Sequence, residues 1–164
     1  RVFCPREDSP HQRRDMKILK SLQAALVFGL FAISSASGER ADLHQRVTGL
    51  AQKYQLDAQE LYTAVDSVRN TGRLPAKWIT KAEASRLGWH PGKPLGRIAP
   101  GKSIGCDRFG NREGLLPVKT GRTWYEADLS YRGGKRNAKR LLYSSDRWIF
   151  VTADHYQTFE RILP

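Results

Sequence analysis

Apolar residues return at helical spacing along the first half of this chain and in alternation along its last third. Leu43, Val47, Leu50, Ala51 and Tyr54 fall on one side of a helix that Asp42 can cap. A second helix opens at the capping pair Asp57 and Glu60, carries Leu61, Tyr62, Ala64, Val65 and Val68, and ends at Asn70 and Gly72. Thr80 and Glu83 repeat the start signal, placing Lys81 in the first turn of a short helix that Gly88 closes. Pro91, Gly92, Pro94, Gly96, Pro100 and Gly101 then mark a loop-rich crossing. Beyond it, strands are predicted at 103–108, 123–129, 139–144, 148–152 and 158–162, with a hairpin over 143–148. Helices first and antiparallel strands after make an α+β fold, with the N-terminal helices packed on one face of a C-terminal antiparallel sheet.

Upstream of these elements the pattern is different. Met16, the only methionine, is followed by Lys17 and Lys20, an apolar run over 22–33 and the small residues Ser34, Ser35, Ala36, Ser37 and Gly38. A charged start, a short apolar run and small residues before a cleavage point are the parts of a secretory signal peptide, with cleavage after Ala36 or Gly38. The run is shorter than the roughly 20 residues of a membrane span. The expected organisation is therefore an upstream extension over 1–15, a signal peptide over 16–38, a pro-segment or extra N-terminal helix over 39–55, and the main domain over 56–164. The product is expected outside the cell, without stable membrane association once the leader is removed.

Charge narrows the choice of partner. Lys and Arg number 28 against 16 Asp and Glu, a net +12 with a pI near 10.1. From residue 39 onward, 22 basic residues stand against 13 acidic ones, so the excess belongs to the main domain. Such a surface suits a polyanion. Cys4 and Cys106 are too few for a disulfide framework or a cysteine-rich zinc site, and no histidine pair has metal-ligand spacing, so no metal or other cofactor is expected. Removal of the leader would leave Cys106 as the one cysteine.

Candidate chemistry gathers in the last forty residues. Along a strand, Trp124, Glu126 and Asp128 share one face and Tyr125, Ala127 and Leu129 the other. A carboxylate on a cationic sheet face is a candidate base, although a surface strand glutamate has the same pattern. Arg132, Lys135, Arg136, Lys139 and Arg140 cluster around Gly133 and Gly134, where guanidinium forks can converge on phosphate or a charged hairpin can simply be solvated. Asp128 could brace one of these arginines. His155 follows a strand and can aim its ring at the same face, and histidine exchanges protons near neutral pH. His44 and His90 read as surface residues. A base, an acid and fixed cations suffice to cut RNA, whose 2′-hydroxyl attacks the adjacent phosphorus once deprotonated.

Several runs carry a resemblance. Trp78 to Lys81, Leu87 to Trp89, 99–105, 111–114, 121–124, Glu126 to Asp128, 141–146 and 154–159 occur in the order and at the spacing of barnase and its relatives, the secreted guanyl-preferring microbial ribonucleases. The match covers 74–164. It implies the microbial ribonuclease fold, with Glu126 as general base, His155 as general acid, and Lys81, Arg136 and Arg140 as stabilisers of the pentacoordinate phosphorane. It further implies a guanine loop of Phe109, Gly110, Asn111, Arg112 and Glu113, in which Glu113 accepts from the base and backbone amides reach its O6, with Tyr156 as stacking neighbour. The family pattern has serine at 110, arginine at 125 and glycine at 106.

The resemblance thus implies a metal-independent enzyme acting on single-stranded RNA as a monomer. It also implies a small acidic intracellular inhibitor covering the basic cleft. The rival readings are a non-catalytic basic RNA-binding module, which would need neither Glu126 nor His155, and a metal-dependent nuclease.

Overall fold

The computed structural model describes the backbone over residues 28–163 and side chains over 38–162; the expected extension over 1–15 and the start of the expected leader lie outside the described residues. Helix α1 (Phe28–Tyr54) runs without a break through 28–38, the part of the expected leader that is described. Helix α2 spans Ala58–Thr71, strand β1 Trp78–Ile79, helix α3 Lys81–Arg86, and a single 3-10 turn Leu95–Arg97. Strands β2 (Ser103–Phe109), β3 (Trp124–Asp128), β4 (Arg140–Ser144), β5 (Ile149–Thr152) and β6 (Glu160–Leu163) follow. No helix among the described residues is long and apolar enough to cross a membrane.

The helix ends follow the local chemistry at α2 and α3, whereas Asp42, expected to cap the first helix, lies inside α1 because the helix continues upstream to Phe28. Asp57 accepts from the Glu60 amide at 3.0 Å, and the amide of Gly72, at φ 72°, closes α2 onto Val68. The Glu60 side chain does not return the cap. It takes the Ser130 amide at 2.8 Å and Lys77 Nζ at 2.8 Å instead, while Ser130 Oγ accepts from the Asp57 amide, so this pair ties α2 to the loop after β3. At α3 the reciprocal box is complete, with Thr80 accepting from the Glu83 amide and Glu83 from the Thr80 amide.

The sheet has six strands in the order β1 to β6, antiparallel except for the β1–β2 pair. Strand alternation gives it two faces. Ala127, Leu129, Leu141, Tyr143, Ile149, Val151 and Ile162 form a core with Leu43, Val47, Leu50 and Ala51 of α1 and Leu61, Ala64, Val65 and Val68 of α2. Tyr125 packs against that core with its ring 5.4 Å from Tyr143. The other face carries Trp124, Leu142 and Phe150 over Leu116, and beside them Glu126, Asp128, Arg140, Ser144 and Thr152, all buried.

Strand β1 has no counterpart in the predicted elements, being two residues long and paired with residues 103 and 104. Gly105 makes this junction feasible, because a Cβ there would lie 2.7 Å from Trp78 Cδ1 and 3.0 Å from Ala127 Cβ. Immediately afterwards the β2–β3 register slips at Cys106, which has φ 64°, and the bulge sets Asp107 opposite Glu126. The left-handed backbone at this position is one that glycine adopts most readily.

Candidate active site

Glu126 occupies the middle of β3 and is only 7% exposed. Lys81 Nζ donates to its Oε1 at 2.7 Å, and the Tyr156 hydroxyl donates to its Oε2 at 2.5 Å. Burial by itself pushes this carboxyl up, but the two hydrogen bonds and the charges of Lys81 and Arg136 outweigh it and hold the group below the ordinary glutamate value. The result is a carboxylate ionised at neutral pH yet shielded from water. Lys81 reaches it because α3 begins at the sheet edge, where the Lys81 amide itself donates to Asp107 at 3.0 Å.

Asp128, two residues further on the same face, braces both arginines rather than one. Arg136 grips it with two bonds of 2.6 Å, and Arg140 Nε lies 3.0 Å from Oδ1. The bidentate bond to Asp128 raises the Arg136 guanidinium above its usual value, against the opposing effect of burial. Arg140 Nε also donates to the Tyr156 hydroxyl at 3.1 Å, and its Nη1 to the Lys139 carbonyl at 2.7 Å. The loop that delivers Arg136 is pinned from behind. Asn137 donates to the carbonyls of Leu129 and Ser130, and Gly133 accepts from the Gly96 amide at 3.1 Å, so closely that a Cβ at Gly96 would lie 2.6 Å from Gly133 Cα.

His155 is exposed on the loop between β5 and β6. The turn is built by Asp154, which accepts from Thr152 Oγ1, the amides of Gln157 and Thr158, and Thr158 Oγ1. Those bonds, led by the Thr158 hydroxyl, hold the Asp154 carboxyl down at about 2. They fix an unusual backbone: His155 and Tyr156 both have positive φ, 58° and 72°. Strain of this kind is maintained only where surrounding bonds over-determine it. It turns the His155 ring to within 4.9 Å of the Tyr156 ring at a tilt of 54°, so Tyr156 meets His155 with its ring and Glu126 with its hydroxyl.

Phe109, Gly110, Asn111, Arg112 and Glu113 line one hollow of 660 Å³ together with His155 and Tyr156. Its rear wall is aromatic, with Phe109 stacked on Tyr156 at 5.2 Å and 24°. Asn111, at φ 44°, spends its side chain inside the loop, donating to the Leu116 carbonyl at 2.9 Å and accepting from the Leu116 amide at 3.0 Å. A Cβ at Gly110 would sit 3.5 Å from Arg112 Cγ, an ordinary contact, so the space for a family-like serine is present. A second hollow, bordered by Lys93, Lys135, Arg136, Arg140 and again His155, continues from the first.

All the expected site residues lie on or beside this one face. Glu126 does not line either hollow directly; it sits behind Lys81 and Tyr156. The sequence does not single out Asp107 and Arg108, because their placement depends on the bulge at Cys106. Asp107 is half-buried beside Glu126, and its carboxyl is raised, chiefly by burial, with the Lys81 amide opposing. Among the described residues, no group of three or more His, Cys, Asp or Glu side chains is placed to hold a metal ion.

The family described as ribonuclease matches over residues 62–163. A ribonuclease of Bacillus intermedius is 46% identical over 151 residues, which is 87% of this chain and 93% of that protein. A ribonuclease of Heyndrickxia coagulans is 60% identical over 91 residues, 55% of this chain and 84% of the relative, and one of Bacillus pumilus is 60% identical over 91 residues, 56% of its length. The family match over most of the chain and the 46% identity to a ribonuclease across nearly its whole length place the chain in the barnase-like ribonuclease family.

Proposed function

We propose that this ribonuclease cuts single-stranded RNA on the 3′ side of guanine, without a metal ion. The base enters the hollow of 109–113, where Glu113 accepts from its ring hydrogens, loop amides reach its O6, and Tyr156 offers an aromatic edge. Glu126 takes the proton of the guanosine 2′-hydroxyl. The 2′-oxygen attacks phosphorus, the bond to the 5′-oxygen of the next nucleotide breaks, and His155 supplies that oxygen with a proton, leaving a 2′,3′-cyclic phosphate. Water then opens the ring with roles exchanged, His155 taking its proton and Glu126 returning one, to give a 3′-phosphate. Lys81, Arg136 and Arg140 hold the charge that develops on the non-bridging oxygens.

The observation that carries this reading is Tyr156, which joins Glu126 to the wall of the same hollow that the recognition loop and His155 form. Glu126 and Asp128 are already satisfied by Lys81, Tyr156 and the arginines, a donor set made for an anion rather than for a cation. The enzyme is further proposed to be exported and to act as a monomer. Inside the producing cell it would be met by an acidic inhibitor protein complementary to the cationic cleft, a kind of charge complementarity that barnase and its inhibitor themselves exemplify.

The test uses matched RNA and DNA oligonucleotides carrying one guanine, incubated with the protein in excess chelator. Cyclic-phosphate ends on the RNA at that guanine, with the DNA intact, are expected, since DNA lacks the attacking hydroxyl. Loss of cleavage in chelator would instead support a metal-dependent nuclease.

A further inference from the structure

A third hollow, of 380 Å³, lies on the far side of the recognition loop. It falls within the range of about 300–1,000 Å³ typical of small-ligand sites. Residues 108–111 form the wall between it and the proposed guanine hollow. Its floor is Trp124, whose buried Nε1 has no hydrogen-bond partner, and its rim carries Arg108, Lys119 and the 82% exposed Val118. Arg122 lies deeper, held by Asp146 through bonds of 2.8 and 2.7 Å and stacked over Trp148 at 4.5 Å. Arg108 makes no ion pair among the described residues, and Lys119 is 67% exposed with its nearest acid, Asp146, 3.9 Å away. Two cations with open donors beside an apolar surface are the elements that grip a nucleotide: phosphate on the charges, base on the apolar wall.

The order of the hollows gives the polarity. His155 borders both the Arg136–Arg140 hollow and the guanine hollow, and residues 108–111 border both the guanine hollow and the third. On the reading proposed above, on which this inference rests, the cleaved phosphate lies 3′ of the guanine, beside His155 and the arginines. An RNA chain continuing in the 5′ direction therefore leaves the ribose of that guanosine on the side away from His155 and the arginines. We infer that the third hollow is a subsite for the nucleotide on the 5′ side of the guanine, with Arg108 and Lys119 against its phosphate and Val118 against its base.

The test compares kcat/KM for the dinucleotide GpA, the 5′-extended UpUpGpA and the 3′-extended GpApU, each with a single guanine. The 5′ extension raises kcat/KM, and that gain shrinks as salt rises, because exposed phosphate contacts are screened. Lys119→Ala reduces the gain by about threefold to tenfold, as expected for loss of one modest polar contact. Lys119→Arg retains it, and the effect of the 3′ extension is the same in all variants. Turnover of GpA by each variant serves as the check on folding. Equal efficiency on GpA and UpUpGpA, or a full gain kept by Lys119→Ala, would overturn the subsite while leaving guanine cleavage standing. Absence of cleavage at guanine in every substrate would overturn the underlying reading and the subsite with it.

Discussion

Tyr156 donates its hydroxyl to Glu126 at 2.5 Å, and that single bond couples the recognition hollow to the carboxylate behind it. Burial and the bond to Glu126 push the tyrosine itself up to about 12, so at neutral pH the phenol is the donor and the carboxylate the acceptor. The bond stabilises the ionised form of Glu126 and lowers its pKa. Tyr156→Phe removes it and keeps the ring. On the proposed mechanism, the acid limb of the kcat/KM profile, set by protonation of Glu126 in the free enzyme, is then expected to move to higher pH. A profile that does not move on the acid side would show that Tyr156 has no influence on the base.

Lys81 bears on the same carboxylate from the other side. Replacing it with methionine leaves a buried anion with one fewer partner, which costs about 1–3 kcal/mol for a pair whose cation is partly exposed. On the proposed mechanism, removing a charge from beside the phosphorane is expected to cost roughly a hundredfold or more in kcat. Stability and turnover are therefore expected to fall together, and chemical denaturation alongside steady-state kinetics would separate the two. A variant that loses stability with full kcat would make Lys81 a structural residue only.

How much of this arrangement is legible in the sequence varies by element. The caps at Asp57, Thr80 with Glu83, Gly72 and Gly88 depend on neighbours three or four residues away, and they lie where the local pattern puts them. Strands β2 to β6 fall within a residue or two of the predicted spans because alternation is also local. Strand β1 is hidden, since Trp78–Ile79 is a strand only by pairing with residues more than twenty positions on. The Cys106 bulge escapes for the same reason, and with it the placement of Asp107 against Lys81 and Glu126. Asp128 is legible as a brace, but its grip on two arginines at once depends on the Gly96–Gly133 contact that folds the intervening loop back. Tyr156 reads as a stacking aromatic; its hydroxyl bond to residue 126 emerges only when β3 and the 153–159 loop are brought together.

Helix α1 bears on whether residues 39–55 are a pro-segment or part of the enzyme. Leu43, Val47, Leu50 and Ala51 are buried in the main core, Arg46 donates to the Ile162 carbonyl at 3.3 Å, and Lys53 and Tyr54 both bind Glu160, at 2.6 and 2.5 Å. Full burial of a leucine or valine is worth about 1.5–3 kcal/mol, an upper figure for a real unfolded chain. A chain starting at Leu56 is thus expected to lose several kcal/mol relative to one starting at Glu39. Because α1 packs on the sheet face opposite Glu126, kcat and KM at low temperature should be unchanged. Identical urea midpoints for the two chains would make the segment dispensable.

Asp146 offers a stability test far from the chemistry. The Arg122 guanidinium, with the Ser144 hydroxyl assisting, holds its carboxyl down at about 2, from an ordinary 3.8. A depressed carboxyl contributes stability that is fully present above its unfolded value and is lost as pH falls through the folded one. The contribution is therefore complete above pH 3.8 and disappears as pH approaches about 2. Asp146→Asn should lower the melting temperature at pH 7, and the difference from the parent should narrow below pH 3.8. A gap independent of pH would assign the effect to packing of Arg122 against Trp148.

The central claim is that Glu126 and His155 serve the two sides of one phosphodiester. Its most direct measurement is cleavage of GpA by Glu126→Ala and His155→Ala, each checked for folding by circular dichroism, followed through both the transesterification and the hydrolysis of guanosine 2′,3′-cyclic phosphate. The account predicts losses of about 10²- to 10⁴-fold for each variant in both steps, since the two groups exchange roles between them. Near-parental rates from either folded variant in both steps would contradict it.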